Sequence, residues 1–437
     1  MALNATGRVA YVNARLLDPA SGLDEPGGVL TDGEIIVDFG PGLASLDVCL
    51  CDYTQVVDCG GHCLAPGLVD MRMQLREPGD EHKETLAIAG EAAVAGGVTS
   101  MVCLPNTQPV MDDAATLEYV ARRARQIGLA KVYPYGAATK GLQGLELAEM
   151  GMLAASGALG FTDGVRAIAN AQLMRRALSY ASTFDLMIVQ HPEEPSLVEG
   201  GAMNEGELAT RLGLPGIPVY AEAILLERDI RLVEATGGRY HAGHVSTAEG
   251  LAVIRGAKER GLPVTCDTAP FYFGLNELTV GDYRTFAKLS PPLRGEDDRR
   301  AVVEAIKEGV IDAVASDHAP QDQDSKRRPF AQADFGGIGL ETLLPVTLEI
   351  HHNGHLSLLE TLRLVTEAPA RLLGLDAGRL RRGGRADLTL FDPYRPWIVK
   401  ADEMVGKSRN TPFDGRPVQG RVLRTVVDGR TVFTRDD

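Results

Sequence analysis

The stretch Ile311-Asp-Ala-Val-Ala-Ser-Asp-His-Ala-Pro320 decides the fold class of this chain. Its first half, Ile311 to Ala315, is a short apolar run without alternation, which is typical of a strand covered on both faces in a parallel sheet. Asp317 and His318 follow directly. An acid and a histidine at the carboxyl end of such a strand stand where α/β barrels carry their chemistry. The structural alternative is a helix-capping Asp beside a packed His.

Similar apolar runs recur through the middle of the chain, and segments with helical spacing separate them. The eight runs cover residues 67–71, 98–104, 130–135, 157–161, 186–189, 239–244, 263–267 and 312–315. The helical segments include residues 84–95, 114–127, 171–183, 223–236, 248–260 and 297–308. Strands that alternate with helices predict an α/β fold, here a (β/α)8 barrel of the TIM type over residues 66–375.

The two ends of the chain consist of short strand-like runs and tight turns. Asp32-Gly33 precedes an apolar run near the N-terminus, and Asp428-Gly429 lies between two β-rich runs near the C-terminus. Both dipeptides are typical of hairpin turns. We therefore expect residues 1–65 and 376–437 to meet in one small β-sandwich domain.

Length and charge restrict the class of protein. With 437 residues, the chain exceeds the roughly 250 residues at which a single hydrophobic core stops growing, so we expect one large domain and a smaller accessory domain. Its net charge is 44 − 59 = −15, which disfavours a nucleic acid or an anionic membrane as a partner. We find neither an apolar run of roughly 18 residues nor a signal-peptide pattern, so a cytoplasmic protein is expected. We also expect a homo-oligomer.

Polar side chains follow most of the predicted barrel strands. Because barrel strands direct their carboxyl ends to one face, these side chains are expected to converge in one pocket. Any one of these side chains alone could have a purely structural role. Polar side chains at the ends of five strands are much less expected by chance. They are Arg72, Gln74, Arg76, Asn106, Asp163, His191, His241, His244, Asp317 and His318.

The residue types in this pocket suggest metal-assisted hydrolysis. Asp163, His191 and His244 offer one carboxylate and two imidazoles, a set suited to zinc or another divalent ion with one position left for water. Asp317 could take a proton from that water and deliver it to a leaving nitrogen. Arg76 could hold a substrate carboxylate in bidentate fashion.

Several motifs resemble the dihydroorotase branch of the amidohydrolase superfamily, in order and along nearly the whole chain. They are Ala65-Pro-Gly-Leu-Val-Asp-Met71, Leu75-Arg-Glu-Pro-Gly79, Leu104-Pro-Asn-Thr-Gln-Pro-Val110, Gly243-His-Val-Ser-Thr247, Ser290-Pro-Pro-Leu-Arg294, Ser316-Asp-His-Ala-Pro320 and Phe335-Gly-Gly-Ile-Gly-Leu-Glu-Thr342. The resemblance implies a barrel with a small β-domain. It also implies the reversible opening of dihydroorotate to N-carbamoyl-aspartate in pyrimidine biosynthesis.

The same resemblance implies roles for individual residues. Asp163, His191, His244 and Asp317 resemble metal ligands, and Asp317 also resembles the acid/base. Arg76 and Asn106 resemble contacts to the substrate carboxylate. Related hydantoinases usually have a carboxylated lysine at the bridging position, so an aspartate at 163 favours the dihydroorotase branch.

One departure from the family pattern concerns the metal. The family's His-x-His on the first barrel strand is here Arg72-Met73-Gln74. Arginine keeps its proton and would repel a cation within a few ångströms, and glutamine is a poor substitute ligand. We therefore expect one metal position to be degenerate and at most one zinc ion per chain. Gln321 and Ser290 also replace residues usual in the family.

Two hypotheses from different classes follow from these departures. In the first, the chain is a hydrolase that uses one ion on Asp163, His191 and His244, with Asp317 as base. In the second, the chain is a non-catalytic dihydroorotase-like subunit that serves as a scaffold for aspartate transcarbamoylase. We lean towards the hydrolase because the second metal pocket and Asp317 look complete in the sequence.

Overall fold

The structure, a computed structural model, describes residues 7–44 and 54–435. Within these two ranges, no helix is both long and apolar enough to cross a membrane. Part of the predicted N-terminal segment, residues 45–53, lies outside the described residues.

Five strands of the N-terminal segment form one side of a terminal sheet. They are β1 (Arg8–Asp18), β2 (Leu23–Asp32), β3 (Ile35–Gly40), β4 (Thr54–Asp58) and β5 (Cys63–Pro66). Strand β1 pairs antiparallel with β2 and parallel with β4 and β5. The β2–β3 hairpin turns at Gly33 with φ of 56°, as the Asp32-Gly33 pair predicts.

Eight parallel strands close into the predicted barrel. Each of the eight predicted runs overlaps one of them, although β10 overlaps its run only at Phe161, and β8 and β9 are two parts of one strand that is interrupted at Tyr135. The strands of this region, including the short pair β12–β13 outside the barrel, are β6 (Leu68–Met73), β7 (Val98–Cys103), β8 (Lys131–Pro134), β9 (Gly136–Ala137), β10 (Phe161–Thr162), β11 (Met187–Gln190), β12 (Met203–Asn204), β13 (Gly216–Ile217), β14 (Arg239–Ala242), β15 (Val264–Thr268) and β16 (Ala313–Val314).

The barrel closes between its first and last strands at the carboxyl ends. Met73 forms a parallel bridge with His318, and the Gln74 amide donates to the His318 carbonyl at 2.8 Å. Strand β16 is shorter than the predicted run because its Val314 amide donates to Leu364 instead of to β6. The residues that follow β6 and β16 are thereby placed side by side.

Helices cover the outside of the barrel, and the predicted helical segments are confirmed. Helix α2 begins after Asp113, whose carboxylate accepts the Thr116 amide, and its buried face includes Leu117, Val120 and Ala124. The helices are α1 (Leu86–Ala95), α2 (Ala114–Ile127), α3 (Met150–Ala155), α4 (Ala171–Ser182), α5 (Pro195–Val198), α6 (Glu207–Leu212), α7 (Tyr220–Thr236), α8 (Ala248–Glu259), α9 (Pro270–Gly274), α10 (Glu296–Lys307), α11 (Gln323–Lys326), α12 (Leu343–His352), α13 (Leu358–Arg363) and α14 (Glu367–Leu373).

Three C-terminal strands complete the terminal sheet. They are β17 (Leu388–Ile398), β18 (Pro417–Val427) and β19 (Arg430–Thr434), and the strand order is β19-β18-β17-β5-β1-β2-β3, with β4 paired to β1. An apolar cluster of its own, which includes Tyr11, Leu16, Ile36, Leu388 and Val426, packs on this sheet. The prediction that both ends of the chain build one β-domain is confirmed, while the boundaries at residues 66 and 375 stay a prediction.

The contact between two hairpin turns of this sheet gives a test of the fold. A Cβ atom added at Gly429 would lie 1.8 Å from the backbone oxygen of Gly33, and φ of Gly429 is 72°. Gly383 has a similar φ of 74° but open space around it. We expect Gly383→Ala to cost about 1 kcal/mol through backbone strain alone. Gly429→Ala should cost a further ~1–3 kcal/mol because the two turns must separate.

Urea unfolding of both variants beside the wild type measures these costs. Equal losses for the two variants would show that the turns do not pack as described.

Candidate active site

The side chain of Arg72 lies at the centre of the barrel mouth, and only 1% of it is exposed. Its Nε donates to Oδ1 of Asp317 at 3.2 Å. Its Nη2 donates to the carbonyl of Gly164 at 3.1 Å and lies 3.2 Å from Nε2 of His244. A Cβ at residue 243 would lie 2.9 Å from Arg72 Nη1, so Gly243 leaves the space that the guanidinium fills. A fixed positive charge therefore lies against two of the predicted metal ligands.

The two predicted imidazole ligands contact each other. His191 Nδ1 lies 2.7 Å from His244 Nε2, which is a hydrogen-bond distance. The outer nitrogens face carboxylates, with His244 Nδ1 at 3.0 Å from Asp317 and His191 Nε2 at 3.1 Å from Glu193. Two contacts to carboxylates and one nitrogen–nitrogen contact are all satisfied when the two rings together hold three protons.

Neighbouring groups lower the pKa of both carboxylates in this network. Burial raises the pKa of Asp317, but His244 and Arg72 outweigh it and lower that pKa to about 2. Burial likewise opposes the effect of His191 on Glu193, whose pKa is nevertheless lowered to about 2. Burial and Arg72 lower the pKa of His244. Asp317 and Glu193 are therefore ionised at neutral pH.

Asp163 faces away from this network. Its two carboxylate oxygens accept the amide of Thr139 at 2.9 Å and the Thr139 hydroxyl at 2.5 Å. Burial raises the pKa of Asp163 to about 6, although the Thr139 hydrogen bonds lower it in part. The structure therefore places Asp163 at the barrel mouth but does not bring it together with His191 and His244 as one ligand set.

The two residues predicted to bind a carboxylate lie on the same side of the mouth. Arg76 is 7% exposed, and its Nε donates to the carbonyl of Pro320 at 2.9 Å. Burial lowers the pKa of Arg76. Asn106 donates to the side-chain oxygen of Gln74 at 3.1 Å, and Oδ1 of Asn106 is buried without a partner among the described residues. Gln74 therefore acts as a hydrogen-bond acceptor for Asn106.

The neighbouring histidines hold the backbone in place. His318 turns away from the mouth, with Nε2 at 2.9 Å from Glu84 and Nδ1 accepting the Gly339 amide. His241 Nε2 lies 3.0 Å from Asp267, whose other oxygen accepts the backbone amide of His244 at 2.6 Å. Asp267 thereby fixes the backbone of His244.

Sequence reasoning missed the residues that support the histidine pair from outside. Glu193 accepts from Ser290 at 2.8 Å and lies 3.6 Å from Nη2 of Arg294. A buried acid two residues after His191 was the available signal, and Arg294 closes the quoted Ser290-Pro-Pro-Leu-Arg294 motif. This outer layer keeps His191 pointed at His244.

The donor set does not fit a divalent ion in this arrangement. Nitrogens that share a tetrahedral zinc ion are about 3.3 Å apart, which is longer than the His191–His244 contact. Those nitrogens face each other, and Arg72 brings a positive charge to the same place. Across residues 7–44 and 54–435, no group of three or more His, Cys, Asp or Glu side chains has the spacing to hold a metal.

Comparisons with known proteins identify the family. A model of the family described as "Dihydro-orotase-like" matches residues 61–250. The chain is 46% identical over 426 residues to a dihydroorotase of Anaplasma phagocytophilum, covering 97% of this chain and 95% of that protein. It is 44% identical to a dihydroorotase of Pelobacter propionicus, covering 97% and 99%. The chain belongs to the dihydroorotase family.

The fold agrees with that membership. An L-hydantoinase (dihydropyrimidinase) from Arthrobacter aurescens superposes with a TM-score of 0.87 at 24% identity, covering 99% of this chain and 97% of that one. A dihydropyrimidinase from Brevibacillus agri gives a TM-score of 0.81 at 23% identity. As a dihydroorotase-family member, the chain is a dihydroorotase-like cyclic amidohydrolase in sequence and architecture. The family generally uses zinc, whereas the mouth of this barrel holds the guanidinium of Arg72.

The surroundings of Asp163 predict a pH-dependent gain in stability for Asp163→Asn. The folded-state pKa of about 6 lies above the ordinary 3.8, so the ionised carboxyl destabilises the folded state as pH rises through that window. Near pH 7.5 the variant should be more stable by up to ~3 kcal/mol, and near pH 4 the gain should be small.

Chemical denaturation at both pH values measures this difference, with Asp282→Asn at an exposed carboxylate as the matched control. A variant that is less stable than the wild type at pH 7.5 would show that the Asp163 charge is favourable in the folded protein.

Proposed function

We propose that this chain binds dihydroorotate and N-carbamoyl-aspartate at the barrel mouth and interconverts them slowly. The observation that supports the substrate class is the similarity to proteins named dihydroorotase, at 46% and 44% identity over nearly the full length. Dihydroorotases open a cyclic amide, so the chain's activity is proposed to be hydrolysis of that bond in pyrimidine biosynthesis.

Arg76 and Asn106 are proposed to hold the substrate carboxylate. Arg76 is a buried cation whose Nε is committed to a backbone carbonyl, which fixes the plane of the guanidinium. A buried arginine with donors left over favours a carboxylate, because the pair forms charge-assisted hydrogen bonds. The unpartnered Oδ1 of Asn106 adds a buried acceptor for a ring N–H.

Asp317 is the proposed base for the ring-opening step. Water would add to the ring carbonyl carbon, Asp317 would take the water proton, and the ring nitrogen would receive that proton as the carbon–nitrogen bond breaks. A carboxylate with a pKa of about 2 is a weak base, and Arg72 and His244 already occupy its oxygens. We therefore expect slow turnover.

The binding part of the proposal predicts that Arg76→Gln weakens the affinity for dihydroorotate. Charge-assisted hydrogen bonds contribute about 1.5–3 kcal/mol, so the dissociation constant should rise roughly tenfold to a hundredfold. Isothermal titration measures it, and Arg327→Gln, an exposed arginine on the loop after β16, is the control. No binding by the wild-type protein would overturn the substrate assignment.

The catalytic part predicts a slow ring opening that a chelator does not change and that Asp317→Asn removes. The reason is that Asp317 is the proposed base and that Asp163, His191 and His244 are not arranged to hold a metal ion. The assay follows dihydroorotate loss by wild type and variant with and without EDTA, and Asp324→Asn, an exposed acid in helix α11, is the control. Wild-type turnover equal to that of Asp317→Asn, with binding intact, would reject hydrolysis.

A second proposal concerns a protein partner. The proposal that this chain is a scaffold subunit of aspartate transcarbamoylase rests only on the replacement of the family's His-x-His by Arg72-Met73-Gln74. The relatives described above are named dihydroorotases and hydantoinases, and none of those names includes a transcarbamoylase. A cytoplasmic location and a homo-oligomeric state also stay proposals.

The scaffold proposal predicts that the chain co-purifies with an aspartate transcarbamoylase chain from the same organism. Co-expression with only one chain tagged, followed by size-exclusion chromatography, tests for a common peak. Separate elution of the two chains at micromolar concentration would contradict the partnership.

A further inference from the structure

We propose that Arg72 is a built-in replacement for the divalent cation of this barrel mouth, and that the folded chain is complete without a metal. This inference goes beyond the proposed function because it concerns the cation and not the substrate. It depends on the contacts of one side chain and on the directions of the groups around it.

The positive charge of Arg72 is buried in the barrel mouth. Arg72 is 1% exposed, so its guanidinium needs compensation inside the protein. Asp317 and His244, two of the predicted metal ligands, supply it at 3.2 Å each, and the Gly164 carbonyl supplies a third contact at 3.1 Å. The groups that a metal would require are therefore engaged by a cation that the chain itself provides.

The other predicted metal ligands already have partners inside the protein. His191 and His244 point their inner nitrogens at each other, and Asp163 points at Thr139. A divalent ion would have to separate the two imidazoles, displace the guanidinium and turn Asp163 around. Gly243 shows that the backbone also accommodates Arg72, because any Cβ there would crowd Nη1 at 2.9 Å.

Gln74 gives a further observation about the place of the absent family histidines. Arg72 and Gln74 are two residues apart at the end of β6, so their side chains leave the strand on the same face. Gln74 accepts from Asn106 at 3.1 Å and makes no use of a metal. Two imidazoles at these positions would offer nitrogen ligands to a metal, whereas the present pair offers one cation and one amide.

The variants that test this replacement are Arg72→His with Gln74→His, and Gln74→His alone. The double variant removes the resident charge and adds two imidazoles, so it should retain about one zinc ion per chain after dialysis. Wild type and Gln74→His alone should retain no stoichiometric zinc, because Arg72 is still in place. Elemental analysis of each purified protein measures the metal.

Thermal unfolding with and without EDTA gives a readout that needs no substrate. The chelator should lower the melting temperature of the double variant and leave that of the wild type unchanged, since only a bound ion contributes to folding stability. If the double variant does not fold, zinc titration into the wild-type protein still decides the question.

Stoichiometric zinc in the wild type, or in Gln74→His alone, would overturn the replacement. Its failure is distinct from failure of the proposed function, because dihydroorotate binding is measured separately and does not involve zinc.

Discussion

The buried ion pair between Arg72 and Asp317 is the interaction on which the barrel mouth depends. It joins the end of the first barrel strand to the residues after the last one, beside the Met73–His318 bridge and the hydrogen bonds from Ser316 to the Asp70 carboxylate. Removing one partner of a buried pair leaves the other charge unpaired, which costs about 3–5 kcal/mol. Closure of the barrel and the charge state of its mouth are thus coupled.

The same pair explains the histidine contact behind it. Asp317 accepts from His244, which leaves only Nε2 of His244 to face inward, and the guanidinium beside it disfavours a second proton there. His191 then donates across 2.7 Å and is itself held by Glu193. A continuous row of polar contacts therefore leads from Arg72 through Asp317 and the two histidines to Glu193.

The architecture could be predicted from the sequence because the spacing of apolar residues shows which faces of strands and helices are buried. All eight predicted barrel strands and the six predicted helical segments are present, and helix α2 has the predicted bounds because Asp113 caps it. The terminal sheet followed from two Asp-Gly turns. The lengths of two strands differed from the prediction: β10 keeps only Phe161 of its predicted run, and β16 is shortened where its Val314 amide donates to Leu364.

The candidate site was harder to predict because a sequence gives position along a strand but not side-chain direction. It placed Asp163, His191 and His244 at the correct face of the barrel, yet Thr139 takes both oxygens of Asp163. It identified Arg72 as incompatible with a neighbouring cation but did not show that the guanidinium reaches Asp317. Glu193 carried no motif, so its support of His191 became visible only in the structure.

The contacts of Arg72 limit which substitutions could turn this barrel mouth into a metal site. Loss of Arg72 alone would leave Asp317 buried without its cation, and a histidine at position 74 alone would gain no ion while the guanidinium of Arg72 remained. Both His244 and Asp317 hold left-handed backbone angles, with φ of 40° and 47°, which side chains rarely adopt without support. The backbone thus still presents both groups inward, while the charge they face comes from the chain. A metal-dependent and a metal-free mouth are separated by coordinated changes at the end of one strand, which explains how a family fold can be kept while its cation is exchanged.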